Sequence, residues 1–352
     1  MSRKLRIMVC SEFSQLHSGY GVYTNNLLRC LSATGKYDLC EFAAYLDKDR
    51  DPRWRNLPWA TFGNMPHFND KHECDLYNSD PVNQFGRFKF ERACLEFLPD
   101  CCINFCDPWM SKHIFESSYK PFYYIGYMAP LDGKPQSVDW LDMYKQADMM
   151  LAYNDWSKDL LESYGIKCQG SAPGIASPCF QPIQDKESHK KSFGLSGTII
   201  GMVARNQARK LFPALLESFK RVLQISGRKD LYLYLHTSNR DIGWDLPSLL
   251  NEHGVSSNVL FTYVCKACSS AYPTLFSDEN SHCLHCGQPT ANASNVQVGV
   301  PEEVLAKIYN LMDLHIQYSS SEGQGFPTVE AAACGVPVWG TDYSASSDLV
   351  RK

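Results

Sequence analysis

A chain of 352 residues is long enough for about two domains. Hydrophobic residues make up 44% of the chain and charged residues 20%, a globular composition that can form sizeable buried cores. The net charge of −4 argues against a general electrostatic attraction to nucleic acid or to an anionic membrane. The apolar run near the N-terminus is too short for a signal peptide. No run of about eighteen apolar residues exists that would predict a transmembrane helix.

The 15 cysteines are an odd number in a long chain. Many stand in apolar contexts and are predicted to be small buried side chains in a reducing compartment, so the cytoplasm is the predicted location. These cysteines include Cys10, Cys40, Cys94, Cys102 and Cys334.

Strand-like runs alternate with runs of helical spacing, and this alternation predicts βαβ units and parallel sheets. The strands predicted in the first half are Leu5–Cys10, Asp38–Leu46, Cys101–Phe105, Phe122–Met128 and Met149–Tyr153. The helices predicted there are Tyr20–Ala33, Val82–Phe97, Val138–Gln146 and Asp155–Tyr164, whereas Asp47–Asp80 is predicted to be mostly loop.

Gly19 and Gly21 stand between the first strand and the first helix. Such a loop lets the backbone approach a phosphate closely. A lone G-x-G is also typical of an ordinary tight turn, so both interpretations stay open. Asp132 and Gly133 likewise form a standard turn pair.

The segment Ala172–Pro182 is rich in Pro and Gly and is predicted to be an interdomain linker, which gives domains 1–178 and 179–352. The alternation then restarts. Its predicted strands are Thr198–Ala204, Asp230–His236, Asn258–Val264, Leu314–Tyr318 and Val336–Gly340, and its helices are Pro213–Gln224, Leu246–His253 and Pro301–Met312. The predicted fold is α/β with two Rossmann-like domains.

An insert at about 262–290 interrupts the second domain. It carries two C-x2-C pairs separated by fourteen residues, Cys265 with Cys268 and Cys283 with Cys286. Four thiolates at this spacing predict a closed tetrahedral zinc site with a structural role, and a redox dithiol is the alternative. Lys266 is the only Lys or Arg between the outer cysteines, so a nucleic-acid-binding ribbon is not favoured.

The stretch Ser319–Asp342 reads SSSEGQGFPTVEAAACGVPVWGTD, with Glu322 and Glu330 eight positions apart. Pro327 is predicted to open a short helix, Thr328–Cys334, and Gly335 to close it as a left-handed cap. The backbone N–H groups of Gly325 and Phe326 would then lie at a helix N-terminus, where an anion such as a phosphate is favoured. Surface charges on a plain strand–turn–helix are the alternative interpretation of the two glutamates.

This stretch resembles the E-x7-E signature of the retaining GT-B glycosyltransferases, especially the nucleotide-sugar-dependent family 4. The usual form is S-x-x-E-G-F-G-L-P-x-x-E-A-M-A-C-G-x-P-V. The matching residues are Ser319, Glu322, Gly323, Gly325, Pro327, Glu330, Ala331, Ala333, Cys334, Gly335, Pro337 and Val338.

The resemblance implies two domains facing across a cleft and a sugar transfer that retains anomeric configuration without a metal in the chemistry. It implies that Glu330 binds the nucleotide ribose and that Glu322 lies against the donor sugar. It places Arg205 and Lys210 on the donor diphosphate, with Arg209 as a third cation, because fixed cations stabilise the charge of a leaving diphosphate. A solvated basic turn is the alternative for these cations. The glycine-rich loop with Gly19 and Gly21 would face the diphosphate from the first domain.

The sequence departs from the family at several points. Many members carry a His that contacts the transferred sugar, and here Asp132 is the nearest polar candidate. Gln324 stands where an aromatic residue is common. The chain ends at Lys352, where family members usually continue with further helices, so we expect either a fragment or a minimal version.

The sequence thus predicts a glycosyltransferase that uses a nucleotide-sugar and an acceptor hydroxyl on a glycan, a lipid, a protein or a modified nucleobase. The alternatives are a nucleotide-sugar epimerase and a non-catalytic scaffold that binds sugar or nucleic acid.

Overall fold

The computed structural model describes residues 3–117, 124–171, 174, 176–277, 281–295 and 298–351. The chain divides into two compact units, Met1–Gly174 and Ile175–Lys352. The division falls inside the segment predicted to be the linker, of which residues 172, 173 and 175 lie outside the described part. Within the described residues, no helix combines the length and the apolar character that crossing a membrane requires.

The first unit contains a six-stranded sheet in the order β3-β2-β1-β4-β5-β6, and every neighbouring pair is parallel. Parallel neighbours need crossover helices, which cover the sheet and account for its apolar strands. The strands are β1 (Leu5–Glu12), β2 (Tyr37–Ala44), β3 (Ala60–Gly63), β4 (Cys101–Asn104), β5 (Tyr124–Ala129) and β6 (Met149–Ala152). The helices are α1 (Gly19–Ala33), α2 (Lys71–Ser79), α3 (Arg87–Phe97), α4 (Pro108–Glu116), α5 (Val138–Tyr144) and α6 (Asp155–Ser163).

The prediction of a mostly irregular segment at Asp47–Asp80 is wrong in part, because β3 and α2 lie within it. Helix α2 buries none of its residues and is polar on average, so its sequence gives little indication of a packed helix. It is stabilised instead at its N-terminus, where the Asp70 side chain accepts a hydrogen bond from the backbone of Glu73.

The helix predicted over Val82–Phe97 is interrupted at Gly86, whose φ of 104° is left-handed. A Cβ at this position would lie 2.4 Å from the ring of Phe42. A short 3-10 helix, Pro81–Phe85, therefore precedes α3. Helix α4 was not predicted; it begins at Pro108, where a proline fits the first turn.

The second unit contains a sheet in the order β10-β9-β8-β7-β12-β13, with β11 paired to β9. Pairing is parallel except for β10 and β11, which run antiparallel to β9. The strands are β7 (Thr198–Val203), β8 (Leu231–His236), β9 (Val259–Cys265), β10 (Ala271–Leu275), β11 (Ala291–Ala293), β12 (Leu314–Gln317) and β13 (Val338–Gly340). The helices are α7 (Lys186–Ser192), α8 (Phe212–Ser226), α9 (Leu246–His253), α10 (Glu302–Tyr309), α11 (Phe326–Ala333) and α12 (Ala345–Arg351).

The predicted α/β class with two Rossmann-like sheets is confirmed. The five cysteines read as small apolar side chains are all buried, as predicted. The cysteine-rich insert contains β10, and β11 follows directly after it; both strands run antiparallel to β9, and residues 278–280 of the insert lie outside the described part. Residues 122 and 123, which the sequence assigned to a strand, also lie outside it.

Candidate functional site

Two loops meet at the carboxyl edge of the second sheet, one after β7 and one after β12. Because β7 and β12 are parallel neighbours, both loops leave the sheet at the same edge, where ligands of such sheets bind. Backbone hydrogen bonds join the loops: Ser320 N–H donates to the Arg209 carbonyl at 2.9 Å and Leu211 N–H to the Tyr318 carbonyl at 3.1 Å. This pairing carries Arg209 and Lys210 towards Glu322.

Glu322 is the centre of a buried ion-pair cluster. Its Oε2 accepts a hydrogen bond from Nη1 of Arg209 at 2.8 Å, and its Oε1 accepts one from Nζ of Lys210. The side chains of Glu322 and Lys210 are 5% and 6% exposed, whereas that of Arg209 is 35% exposed. Burial alone would raise the pKa of Glu322, but the charges and hydrogen bonds of Lys210 and Arg209 outweigh it and lower the pKa to about 2. The carboxylate is therefore ionised at neutral pH, and the cluster carries one excess positive charge.

Gln317 and Ser344 also form hydrogen bonds with Glu322. Nε2 of Gln317 donates to Glu322 Oε1 at 2.6 Å, and Glu322 N–H donates to Oγ of Ser344 at 2.9 Å. Sequence reasoning missed both residues. The signal for Gln317 was a polar residue inside the predicted strand Leu314–Tyr318.

Helix α11 begins directly after this cluster. Gly325 is its N-cap with a left-handed φ of 76°, and glycine has no side chain with which to cap the helix. Pro327 lies in the first turn, as the sequence predicted, although the helix begins two residues earlier than expected, at Phe326. Gly335 follows the helix with a φ of 72°, so the predicted left-handed cap is confirmed. The helix N-terminus adds a positive partial charge beside Arg209 and Lys210.

Glu330 is partly buried on α11 and has one strong partner. The hydroxyl of Tyr309 donates to Glu330 Oε2 at 2.7 Å. Burial raises the pKa of Glu330 to about 7, and the charge of Glu302 adds to the rise, although the Tyr309 hydrogen bond opposes it. In the free protein Glu330 is thus near half-protonation at neutral pH.

Arg205 is engaged with a different residue. Its Nε donates to Asp241 Oδ2 at 2.9 Å, and its side chain is 49% exposed. Asp241 lies in the loop after β8, the strand beside β7, so Arg205 stands on the same sheet edge as Lys210. Sequence reasoning grouped Arg205 with Lys210, but the cation that the structure pairs with Glu322 beside Lys210 is Arg209.

The candidates in the first unit occupy the carboxyl edge of its own sheet. Gly21 N–H donates to Oγ of Ser18 at 3.0 Å, which makes Ser18 the N-cap of α1. A Cβ on Gly21 would lie 2.5 Å from the Leu16 carbonyl oxygen, whereas Gly19 faces open space. Close packing therefore requires glycine at Gly21, and Gly19 is the position where a ligand has room. Asp132 is exposed in the loop after β5.

The four cysteines of the insert converge as the sequence predicted. Their Sγ atoms all lie within 4.8 Å of one another, with Cys265 to Cys286 and Cys268 to Cys283 both at 3.7 Å. A tetrahedral zinc with Zn–S bonds of about 2.3 Å needs sulfurs about 3.8 Å apart, so the donor set fits this ion.

Each C-x2-C pair turns in the same way. The N–H of Ser269 donates to the Cys265 carbonyl at 2.8 Å, and that of Gly287 to the Cys283 carbonyl at 2.9 Å. Burial raises the pKa of Cys283, but the N–H groups of Cys286 and His285 outweigh it and lower the pKa to about 5. A thiolate is the form that ligates a metal. Cys265 is the last residue of β9, so the cluster also lies at the carboxyl edge of the second sheet.

Comparison with known proteins yields no matching family model and no matching curated protein. Solved structures do match. Sucrose-phosphate synthase from Thermosynechococcus elongatus superimposes with a TM-score of 0.65 at 16% identity, covering 96% of this chain and 81% of that one. HepE from Anabaena, solved in complex with UDP and glucose, gives 0.64 at 13%, covering 98% and 83%. The catalytic domain of starch synthase IV from Arabidopsis thaliana, bound to ADP and acarbose, gives 0.60 at 15%, covering 99% and 84%. These proteins are GT-B glycosyltransferases, and the likeness assigns their fold to this chain.

Proposed function

We propose that this protein is a glycosyltransferase that moves a sugar from a nucleotide-sugar to an acceptor hydroxyl with retention of anomeric configuration. The observation that carries the proposal is the cluster of Arg209, Lys210 and Glu322 at the start of α11, with Glu330 eight positions later on that helix. Cations, a helix N-terminus and two carboxylates are the groups that a diphosphate joined to a ribose and a sugar needs.

The donor diphosphate binds Lys210 and Arg209 together with the backbone N–H groups of Gly325 and Phe326. Arg205 approaches the same phosphates from the neighbouring loop, where its exposed guanidinium leaves Asp241 for the stronger charge. These cations stabilise the negative charge that develops on the leaving diphosphate, so the chemistry needs no metal ion. The solved structures with UDP and with ADP are consistent with a donor of this class.

The two glutamates bind the two ends of the donor. Glu330 accepts hydrogen bonds from the ribose hydroxyls, and Glu322 accepts them from the sugar and stabilises the positive charge that develops near the anomeric carbon. The bond from the anomeric carbon to the phosphate oxygen breaks, and the acceptor oxygen forms a bond on the same face. The leaving phosphate takes the proton of the acceptor hydroxyl.

In the first unit the proposed ligand contacts are Gly19, Gly21 and Asp132. Gly19 offers an open backbone position that suits a phosphate, and Gly21 allows the tight start of α1. Asp132 is proposed to contact the transferred sugar or the acceptor.

Zinc is proposed as a structural ion held by Cys265, Cys268, Cys283 and Cys286. Four cysteine ligands leave no open position, so zinc would organise the insert and take no part in transfer. Since Cys265 ends β9, the insert is proposed to lie beside the nucleotide base or the acceptor entrance.

A donor screen tests the proposal. The protein is mixed with UDP-, GDP-, ADP- and CMP-sugars, and both the thermal shift and the release of nucleotide are measured. Glu330→Ala is expected to lose the shift, whereas Glu252→Ala, a change at an exposed glutamate on α9, retains it. Binding without release in the presence of broad acceptor mixtures would favour a non-catalytic scaffold. No binding to any donor would overturn the proposal.

A further inference from the structure

Strand β12 carries a polar stripe on one side. His315 and Gln317 occupy alternate positions of β12, so their side chains share a face, and Ser319 follows two residues after the strand; all three residues are completely buried. The strand is flanked by β7 and β13, and such an inner strand of a parallel sheet is normally apolar throughout. Burying a polar group costs folding free energy unless the group is hydrogen-bonded, so three such residues in and beside an inner strand are unusual.

The stripe connects the two glutamates of the proposed donor site. Gln317 Nε2 donates to Glu322 at 2.6 Å, and Tyr309 donates to Glu330 at 2.7 Å. Between them lies His315, whose ring packs edge-on against that of Tyr309 with centroids 5.7 Å apart. Tyr309 therefore links Glu330 to His315, which shares a face of β12 with Gln317, the partner of Glu322.

The Gln317 amide has a defined orientation. Glu322 is an ionised acceptor, so it must face the NH2 group of the amide, and Oε1 points the other way. Within the described residues, Gln317 Oε1 and both ring nitrogens of His315 have no hydrogen-bond partner. Burial of the His315 ring lowers its pKa to about 4, so the imidazole is neutral at neutral pH.

We propose that Gln317 is a positioning residue that holds Glu322 in place when the donor draws its cations away. The inference rests on the proposed function. In the free protein Arg209 and Lys210 bind Glu322, but a diphosphate competes for both cations. A buried carboxylate that lost its cations would move or take up a proton unless another donor held it. Gln317 is neutral, so the diphosphate does not attract it. It fixes the carboxylate without cancelling the negative charge that the sugar needs.

The first test is Gln317→Met, which keeps the length of the side chain and removes the hydrogen bond. Since a bond to a charged group is lost only at the sugar end of the site, kcat falls at least about tenfold, while KM for the donor stays within about threefold of the unsubstituted protein. Calorimetry with the nucleoside diphosphate alone needs no turnover. The affinity that it measures for Gln317→Met stays within about threefold of that of the unsubstituted protein. His113→Phe is the control, because His113, on α4 of the first unit, is another buried polar residue whose ring nitrogens have no hydrogen-bond partner among the described residues.

A second variant, Gln317→Glu, keeps the inference testable if Gln317→Met does not fold. It keeps the shape of the side chain but sets a carboxyl group against Glu322, so the pair shares a proton at low pH. Its kcat, relative to the unsubstituted protein, rises as the pH falls, which a purely structural defect does not produce.

The possible results distinguish failure of the proposed function from failure of the inference about Gln317. If the unsubstituted protein binds no nucleoside diphosphate and transfers no sugar, the proposed function fails and the inference with it. If it transfers sugar and both variants retain its kcat, the inference alone is overturned. An equal loss in His113→Phe would also overturn it, because the effect would then belong to buried polar residues in general.

Discussion

Lys210 donates a hydrogen bond to Oε1 of Glu322, a residue 112 positions further along the chain, and both side chains are almost fully buried. Arg209 binds the other carboxylate oxygen. The free protein therefore holds its two cations on an internal anion. A diphosphate that binds here competes with a carboxylate and not only with water.

Glu322→Gln is expected to change diphosphate binding and sugar transfer in opposite directions. The substitution removes the competing charge, so the affinity for a nucleoside diphosphate rises, while kcat falls by about 100-fold because the developing positive charge loses its partner. Leaving Lys210 buried without its anion also costs stability, on the order of 3 kcal/mol. Calorimetry, initial rates and urea unfolding measure the three effects. The substitution of exposed Glu252 by Gln is the control, and weaker diphosphate binding in Glu322→Gln would contradict the competition.

Glu330 gives donor binding a dependence on pH. Its pKa is about 7 in the free protein, and the charged form accepts hydroxyl groups more strongly, so affinity for a nucleotide-sugar rises as the pH increases through 7. A nucleotide-sugar is the ligand to use, because its diphosphate is esterified at both ends and does not titrate in this range. Calorimetry in buffers of different ionisation enthalpy detects the proton released on binding. In Glu330→Gln the pH dependence disappears; if it persisted, another group would be responsible.

The same carboxyl group affects folding stability with the opposite trend. Its folded pKa lies above the ordinary value of 4.5, so the protonated form favours the folded state. This contribution is fully present below about pH 4.5 and is lost as the pH rises through about 7. The difference between the free energy of unfolding of Glu330→Gln and that of the unsubstituted protein therefore becomes more positive as the pH rises through this window. A difference that did not change with pH would contradict the raised pKa.

The alternation of apolar strands and helices was enough to predict both sheets, because parallel strands buried on two faces leave a strong pattern. Helix Leu246–His253 was predicted with the bounds that the structure gives it. Helix α2 was not predicted because it buries no residue, and β3 was not predicted because it is a four-residue strand at the sheet edge. Periodicity reports burial, so elements with little burial are not detected.

The site was predictable residue by residue, but its pairings were not. The sequence singled out Arg205, Arg209, Lys210 and Glu322 as candidates. Which cation meets Glu322 depends on the register of two loops, set by the backbone bridge between Lys210 and Ser319. That register depends on tertiary packing and has no local sequence signal. The four-cysteine cluster, in contrast, was predictable because each knuckle is a local turn.

Removing the metal tests the cysteine site. Purified protein is expected to contain one zinc per chain, and Cys283→Ser lowers both the zinc content and the melting temperature, because the ion holds β10 and β11 against the end of β9. Cys30→Ser, at an exposed cysteine on α1, is the control. Metal analysis and calorimetric melting provide the readout. A metal-free protein that melts at the same temperature as the zinc-loaded one would exclude a structural zinc.

Gly325 and Gly335 form a matched pair at the two ends of α11. Both have left-handed backbone, with φ of 76° and 72°, so alanine at either position costs about 1–2 kcal/mol of folding stability. A Cβ would meet Leu349 Cδ1 at 3.4 Å at the first position and Pro182 Cγ at 3.1 Å at the second, so the steric cost is no greater at Gly325.

The two variants should differ in ligand binding. Only Gly325 adjoins the helix start that is proposed to bind the diphosphate, so Gly325→Ala weakens nucleoside diphosphate binding at least about tenfold, while Gly335→Ala leaves it within about twofold. Urea unfolding and calorimetry on both proteins measure the comparison. Equal loss of binding in the two variants would mean that α11 acts only through its stability. Equal retention would place the diphosphate away from this helix start.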